Sequence, residues 1–174
     1  MNRVRPAVLA DALGISRVHV SSWLQAYAGL MPESYLGQQS VEDRVAQWSE
    51  ILRADVGAEG GTWVATHHDD IVGFVSAGPC RDLDPAPQLR WEIYALYVAP
   101  QHWGQGLGTS LVGEVLDEVP GAAESVSLWT LAANQRAMRF YEQLGFAYDG
   151  TDKEVMRGGV AVSERRLVRP RGVA

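Results

Sequence analysis

A chain of 174 residues, 47% of them apolar and 21% charged, is long enough for one domain with its own core and too short to divide comfortably into two. Its net charge of −6, with basic residues scattered along the chain, argues against a surface built mainly to hold nucleic acid. A single cysteine, Cys80, excludes an internal disulfide framework, and a single lysine, Lys153, excludes a phosphate loop of the Gly-Lys-Ser/Thr kind.

No apolar run approaches the roughly 20 residues that span a bilayer, and the opening six residues lack the apolar centre of a secretion signal, so a cytoplasmic protein is expected. Leu13, Ile15, Val18, Val20, Trp23, Leu24 and Tyr27 fall near helical spacing and predict a helix over residues 11–28. Residues 29–32 break that pattern. Ser40 and Asp43 resemble a capping box, opening a second helix whose buried face is Val45, Trp48, Ile51 and Leu52. Residues 62–66 and 71–77 are rich in β-branched and aromatic side chains and read as a hairpin across His67-His68-Asp69-Asp70. That cluster contains metal-ligating residue types, but turns favour Asp and adjacent histidines on a strand end point to opposite faces, so a turn is expected and no metal. Cys80 falls in a loop after a strand, with no partner histidine in a motif that would make it a catalytic thiol.

Residues 82–87 read as a loop, 89–98 as a strand and 106–118 as a helix. Strand 125–131, helix 134–144 and two strands near 146–151 and 160–168 follow. Arg165, Arg166, Arg169 and Arg171 read as a solvated strand edge and a frayed tail. The order is mixed α/β, with an antiparallel start and one parallel crossover between the strands at 89 and 125.

Most of the functional signal lies between Leu96 and Leu111. Gly104, Gly106 and Gly108 stand at every second position between a strand and a helix start, so successive backbone N–H groups can face one concavity without side chains in the way. The helix after this turn adds its unpaired first-turn N–H groups and the positive end of its dipole, which suits a pyrophosphate without any lysine. A tight turn that merely needs glycine is the competing reading. A nicotinamide-dependent oxidoreductase is the rival enzyme, but Thr109 stands where its spacing requires the third glycine, and Glu124 precedes the next strand instead of ending it.

The second signal is Asn134-Gln135-Arg136-Ala137, followed by Phe140-Tyr141-Glu142 and Gly145-Phe146. Asn134 suits a helix N-cap, and Gly145 with Phe146 suits its termination. Together with the glycine-rich segment, this pattern resembles the two conserved motifs of the GNAT N-acetyltransferases, and the resemblance covers nearly the whole chain from Val4 to Val168.

The resemblance implies a central, mostly antiparallel twisted sheet flanked by helices, with splayed strands forming an acetyl-CoA cleft. It implies one domain over residues 1–168, with 169–174 a flexible tail. It places acetyl-CoA, as co-substrate, against Leu96, Tyr97, Val98, Trp103, Gly104, Gln105, Gly106, Leu107, Gly108, Thr109, Asn134 and Tyr141. Tyr141 matches the tyrosine that protonates the departing thiolate. Trp103 departs from the family pattern, which has Gln or Arg there, so a side-chain donor to the pyrophosphate is lost and the indole is expected to pack against the loop or coenzyme. Glu92, eleven positions earlier, matches the glutamate base of the histone-acetyltransferase branch; a salt-bridge carboxylate is the alternative. Trp23, Tyr27, Tyr35 and Tyr94 are candidates for the acceptor's wall, with ordinary packing the alternative for the first three.

The implied reaction is direct transfer to a primary amine of a small molecule or peptide in a ternary complex, with no covalent enzyme intermediate. Nucleic acid and membrane partners are not expected, and a homodimer is compatible with the resemblance. The net charge mildly favours a cationic acceptor. A regulatory acyl-CoA-binding module without turnover is the non-enzymatic alternative.

Overall fold

The computed structural model describes residues 2–55, 57–83 and 89–172. In chain order, the elements are β1 (Asn2–Pro6), α1 (Ala12–Tyr27), α2 (Glu33–Leu36), α3 (Val41–Ala54), β2 (Gly61–His67), β3 (Asp70–Pro79) and β4 (Arg90–Val98), then α4 (Leu107–Glu118), β5 (Ser125–Leu131), α5 (Gln135–Gln143), β6 (Ala147–Arg157) and β7 (Val160–Pro170). Seven strands form one sheet in the order β1-β2-β3-β4-β5-β7-β6, and only β4 and β5 run parallel. Each face of the sheet is covered. Leu111 and Val115 of α4 and Tyr141 of α5 pack on one, with Ile93 and Leu128. Ile15 of α1 and Trp48 of α3 pack on the other against Phe74. No helix among the described residues is long and apolar enough to cross a membrane.

Local chemistry accounts for the turns and caps. His68 and Asp69 take positive φ, 49° and 70°, which gives the β2–β3 hairpin the primed turn that matches strand twist. The Ser40 side chain accepts the Asp43 N–H at 3.1 Å and starts α3. Trp48 and Leu52, four residues apart, are that helix's buried residues; Ile51 sits on the flank and is exposed, contrary to the face expected from sequence.

Several expectations need correction. The strand β1 is not legible in the sequence, because Arg3, Arg5 and Pro6 give it the look of a polar lead-in; it pairs at the sheet edge, where such residues are tolerated. β6 and β7 extend to meet at Gly158 and Gly159, beyond the short strands predicted. β7 lies inside the sheet, so its arginines are not a solvated edge: Arg166 is only 7% exposed, and Arg169 and Pro170 pair opposite Val126 and Ser125. The Arg171 N–H donates to the Glu124 carbonyl at 2.8 Å, so the chain is tied down past residue 168. Of the loop predicted at 82–87, residues 84–87 lie outside the described ones.

Two irregularities open the sheet alongside β4. The register with β3 slips so that Ser76 faces Ala95 and Ala77 faces Ile93, leaving Tyr94 as the extra residue of a bulge. The bulge reverses the alternation: Trp91, Ile93, Leu96 and Val98 pack with the α4 face, while Ala95 and Tyr97 pack with α1 and α3. β4 also pairs with β5 only over Arg90–Ile93 and Ser125–Leu128, and beyond that point the two strands have no ladder between them.

Candidate active site

The unpaired halves of β4 and β5 open into a cleft of about 840 Å³ that runs from α1 to the N-termini of α4 and α5. At its α4 end, Gly104 and Gly106 hold positive φ, 74° and 79°, and an added Cβ at either would meet no atom within 4 Å. Among the described residues, the N–H groups of Gln105, Gly106, Leu107, Gly108 and Thr109 reach no backbone carbonyl, so this turn and first helical turn present a row of free donors. That arrangement suits an anion. Gly108 has another role: a Cβ there would come within 3.0 Å of the Phe140 ring, so its smallness allows α4 to lie close against α5.

Trp103 precedes this turn. Its indole N–H donates to the Val98 carbonyl at 2.6 Å, and the Arg136 guanidinium lies 3.4 Å from the ring centroid. Asn134 caps α5 by accepting the Ala137 N–H at 3.1 Å. At the other end of α5, Gly145 with φ 81° and the Phe146 N–H bonded to the Tyr141 carbonyl at 3.0 Å close the helix in a Schellman-type stop. The ring of Tyr141 packs on Phe146 and Phe140.

Tyr141 is 8% exposed and lines the cleft. Burial holds its hydroxyl protonated well above the ordinary phenol range, with the neighbouring Tyr27 adding to the effect. Tyr97, on the α1 side, stacks on His19 at 4.9 Å between centroids; burial pushes its phenol far up as well, with the neighbouring Tyr27 adding to the effect. His19 accepts the Trp48 indole N–H at 3.1 Å and is held neutral, its pKa pushed down to about 3 by burial and by Arg44.

Of the coenzyme residues expected from sequence, Leu96, Tyr97, Val98, Trp103, Gly104, Gly106, Leu107, Gly108, Thr109, Asn134 and Tyr141 line this one cleft. Gln105 does not; its side chain is exposed and donates to the Gln101 carbonyl at 3.3 Å. Tyr27 and Tyr94 line the cleft, whereas Trp23 and Tyr35 lie behind, packed on Met31, Leu36 and Leu131. Glu92 is 4% exposed and lies outside the lining, its carboxylate accepting the Arg81 backbone N–H at 2.8 Å and the Arg81 guanidinium at 3.2 Å. Arg81 in turn covers the Tyr94 ring, whose hydroxyl donates to the Pro79 carbonyl at 2.6 Å. Burial raises the Cys80 thiol, which disfavours a nucleophilic thiolate.

Sequence reasoning misses Trp129, Thr130 and Arg136 as lining residues. Trp129 donates its indole N–H to Asp82 at 2.9 Å and carries Lys153 over its ring, with Lys153 and Arg157 both paired to Glu164. These partners come from three segments, the loop after β3, β6 and β7, all distant from Trp129 in sequence, so no local pattern signals them. Arg136 is visible inside the second motif, but its seat on Trp103 is not.

Residues 21–146 match the family described as the acetyltransferase (GNAT) family. A probable N-acetyltransferase family 8 member 5 of Mus musculus is 32% identical over 144 residues, 77% of this chain; the chain spans 63% of that relative's length. A probable N-acetyltransferase of Mycobacterium tuberculosis is 29% identical over 85% of this chain and 81% of its own. Among solved structures, the PaiA N-acetyltransferase of Thermoplasma acidophilum in complex with coenzyme A superposes with a TM-score of 0.76 at 18% identity, covering 98% of this chain and 99% of that one. The YncA putative acetyltransferase of Salmonella typhimurium with acetyl-CoA gives 0.74 at 18% identity, covering 100% and 96%.

Proposed function

Since the chain belongs to the acetyltransferase (GNAT) family, we propose that it acetylates a primary amine of a small molecule or peptide from acetyl-CoA, by direct attack in a ternary complex. The observation that carries this is a cleft with free backbone donors at one end and a buried tyrosine in its lining. The residues fit the coenzyme: open space and positive φ at Gly104 and Gly106 allow phosphate to approach the backbone, and the unladdered stretch of β4 offers strand groups for amides to pair with. When bound, acetyl-CoA supplies the activated acyl group as a thioester.

The chain's own residues then divide the work. Gly104 to Thr109 hold phosphate, Asn134 shapes the α5 terminus beside it, and Leu96 and Tyr97 line the narrow passage. The Val98 carbonyl is taken by Ser22 and Trp103, so its contribution to the lining is apolar. Tyr141 keeps a hydroxyl proton in the cleft lining, where it can be donated to a departing sulfur. Because a phenol pushed above its ordinary value lies above a thiol in pKa, the hydroxyl contributes a strong hydrogen bond to the departing sulfur. It passes its proton only as it takes up the one released by the acylated amine, so that the sulfur leaves as a thiol and no phenolate remains.

For Glu92 we propose a positioning role: it fixes Arg81, which in turn fixes Tyr94 at the cleft wall. Both carboxylate oxygens already accept from Arg81, so a role as base would require a water chain around that pair. Tyr27, Tyr94 and Trp129 form the wall that meets the acceptor, and Trp23 and Tyr35 support it from behind. The test is an acetyl-CoA consumption screen over amines of different size and charge, with product mass confirming one added acetyl group. Coenzyme binding without turnover across the whole panel would favour a regulatory acyl-CoA-binding module instead.

A further inference from the structure

The Trp103–Arg136 stack places a cation without an ion pair in the lining of the cleft, beside the glycine turn. Arg5, Arg81, Arg157, Arg165 and Arg166 are each ion-paired. Arg136 has neither an ion pair nor a hydrogen bond to any described residue, and the indole of Trp103 is what holds its guanidinium in place. The indole is itself fixed by its bond to Val98, and Trp103 opens the turn whose free N–H groups face the cleft. A guanidinium lying flat on a ring keeps its edge donors directed outward, and those donors match phosphate oxygens in pairs. The resemblance implies a Gln or Arg donor at position 103, where this chain has Trp103, and Arg136 brings a cation beside the same turn from a different helix.

Resting on the acetyl-CoA reading above, we propose that Arg136, seated on Trp103, is a coenzyme-binding residue that holds the pyrophosphate in place of the side chain missing at position 103. Loop N–H groups bind the phosphates from one side and the guanidinium closes over them from α5. The cation–π seat lowers the entropic cost of holding a long side chain in that position.

Calorimetric titration of wild type and Arg136→Gln with coenzyme A, dephospho-coenzyme A and S-acetylpantetheine tests this. A charge-assisted contact of this kind predicts that Arg136→Gln weakens coenzyme A and dephospho-coenzyme A equally, by about 10- to 100-fold, and leaves S-acetylpantetheine unchanged. The affinity of wild type should also fall more steeply with added salt than that of the variant. Arg136→Lys should recover part of the loss. Trp103→Leu should reproduce most of it, and the double variant should be little worse than either single one. Unchanged affinity for all three ligands overturns the proposal. A loss confined to coenzyme A also overturns it, because the partner would then be the 3′-phosphate. Failure of wild type itself to bind coenzyme A would overturn the acetyl-CoA reading too, whereas wild-type binding with no effect of Arg136→Gln removes this inference alone.

Discussion

The two ends of the cleft are built from different material. The α4–α5 end relies on backbone: two glycines with positive φ, a row of free N–H groups and one stacked arginine. The α1–β7 side relies on side chains that hold one another, through Glu92 with Arg81, Glu164 with Lys153 and Arg157, and Arg166 with Asp82 and Asp149. A backbone site tolerates sequence change wherever glycine and a helix start are kept. A side-chain site fails when one partner is removed.

Tyr141 lines the same cleft, and it gives the largest expected effect. Tyr141→Phe should lower kcat by about 10²- to 10⁴-fold with coenzyme affinity retained, since it removes a proton donor and keeps the ring. Steady-state rates with one verified acceptor, beside a direct binding measurement, check it; an unchanged kcat would remove Tyr141 from the chemistry. Glu92→Gln, by contrast, should give a pH–rate profile parallel to that of wild type. Partial recovery of rate at high pH would instead show that Glu92 takes the amine's proton.

The side-chain end can be broken without touching the coenzyme loop. Arg166 is buried, with Asp82 at 3.1 Å and Asp149 at 2.7 Å, so Arg166→Met leaves two carboxylates without their cation. It should cost roughly 3 kcal/mol in urea unfolding, while a mutant that still folds at low temperature keeps its affinity for coenzyme A. A loss of less than about 0.5 kcal/mol would show that the network contributes little.

Acid should separate the ends more gently. The folded pKa of His19 is about 3 against an ordinary 6.5, so the unfolded chain takes up the proton first as pH falls. Stability associated with His19 is therefore complete above about pH 6.5 and is lost toward pH 3, with a slope of up to about 1.4 kcal/mol per pH unit. His19→Gln, which keeps an acceptor for Trp48, should flatten the stability profile between about pH 7 and about pH 5. Equal slopes in the two proteins would contradict a buried neutral imidazole beneath Tyr97.

The same division explains what can be read from sequence. Gly104, Gly106 and the Asn134-to-Phe146 pattern announce themselves because turn, cap and stop depend on neighbours a few residues away. Glu92 shows the limit: its position in β4 is legible, but Arg81 lies across a loop, and the Tyr94 bulge that sets the facing of side chains leaves no local mark. Arg166 reads as a surface arginine because nothing near it in sequence reveals Asp82 and Asp149. Gly108 belongs to the glycine series by spacing, yet its neighbour is Phe140 on another helix.

The contrast between Gly106 and Gly108 provides the most direct measurement. Acetyl-CoA is titrated into wild type, Gly106→Val and Gly108→Val, with folding of each verified by thermal melting. Gly106→Val strains the turn, whose φ of 79° suits glycine, and puts a branched side chain into its open side. In protein that still folds, binding should fall by at least about 100-fold, the loss expected when a backbone phosphate site is blocked or reshaped. Gly108→Val should chiefly destabilise the protein, by about 1 to 3 kcal/mol, through its crowding of Phe140. Equal acetyl-CoA affinity in wild type and a folded Gly106→Val would contradict the account that the glycine turn and the α4 terminus hold the coenzyme.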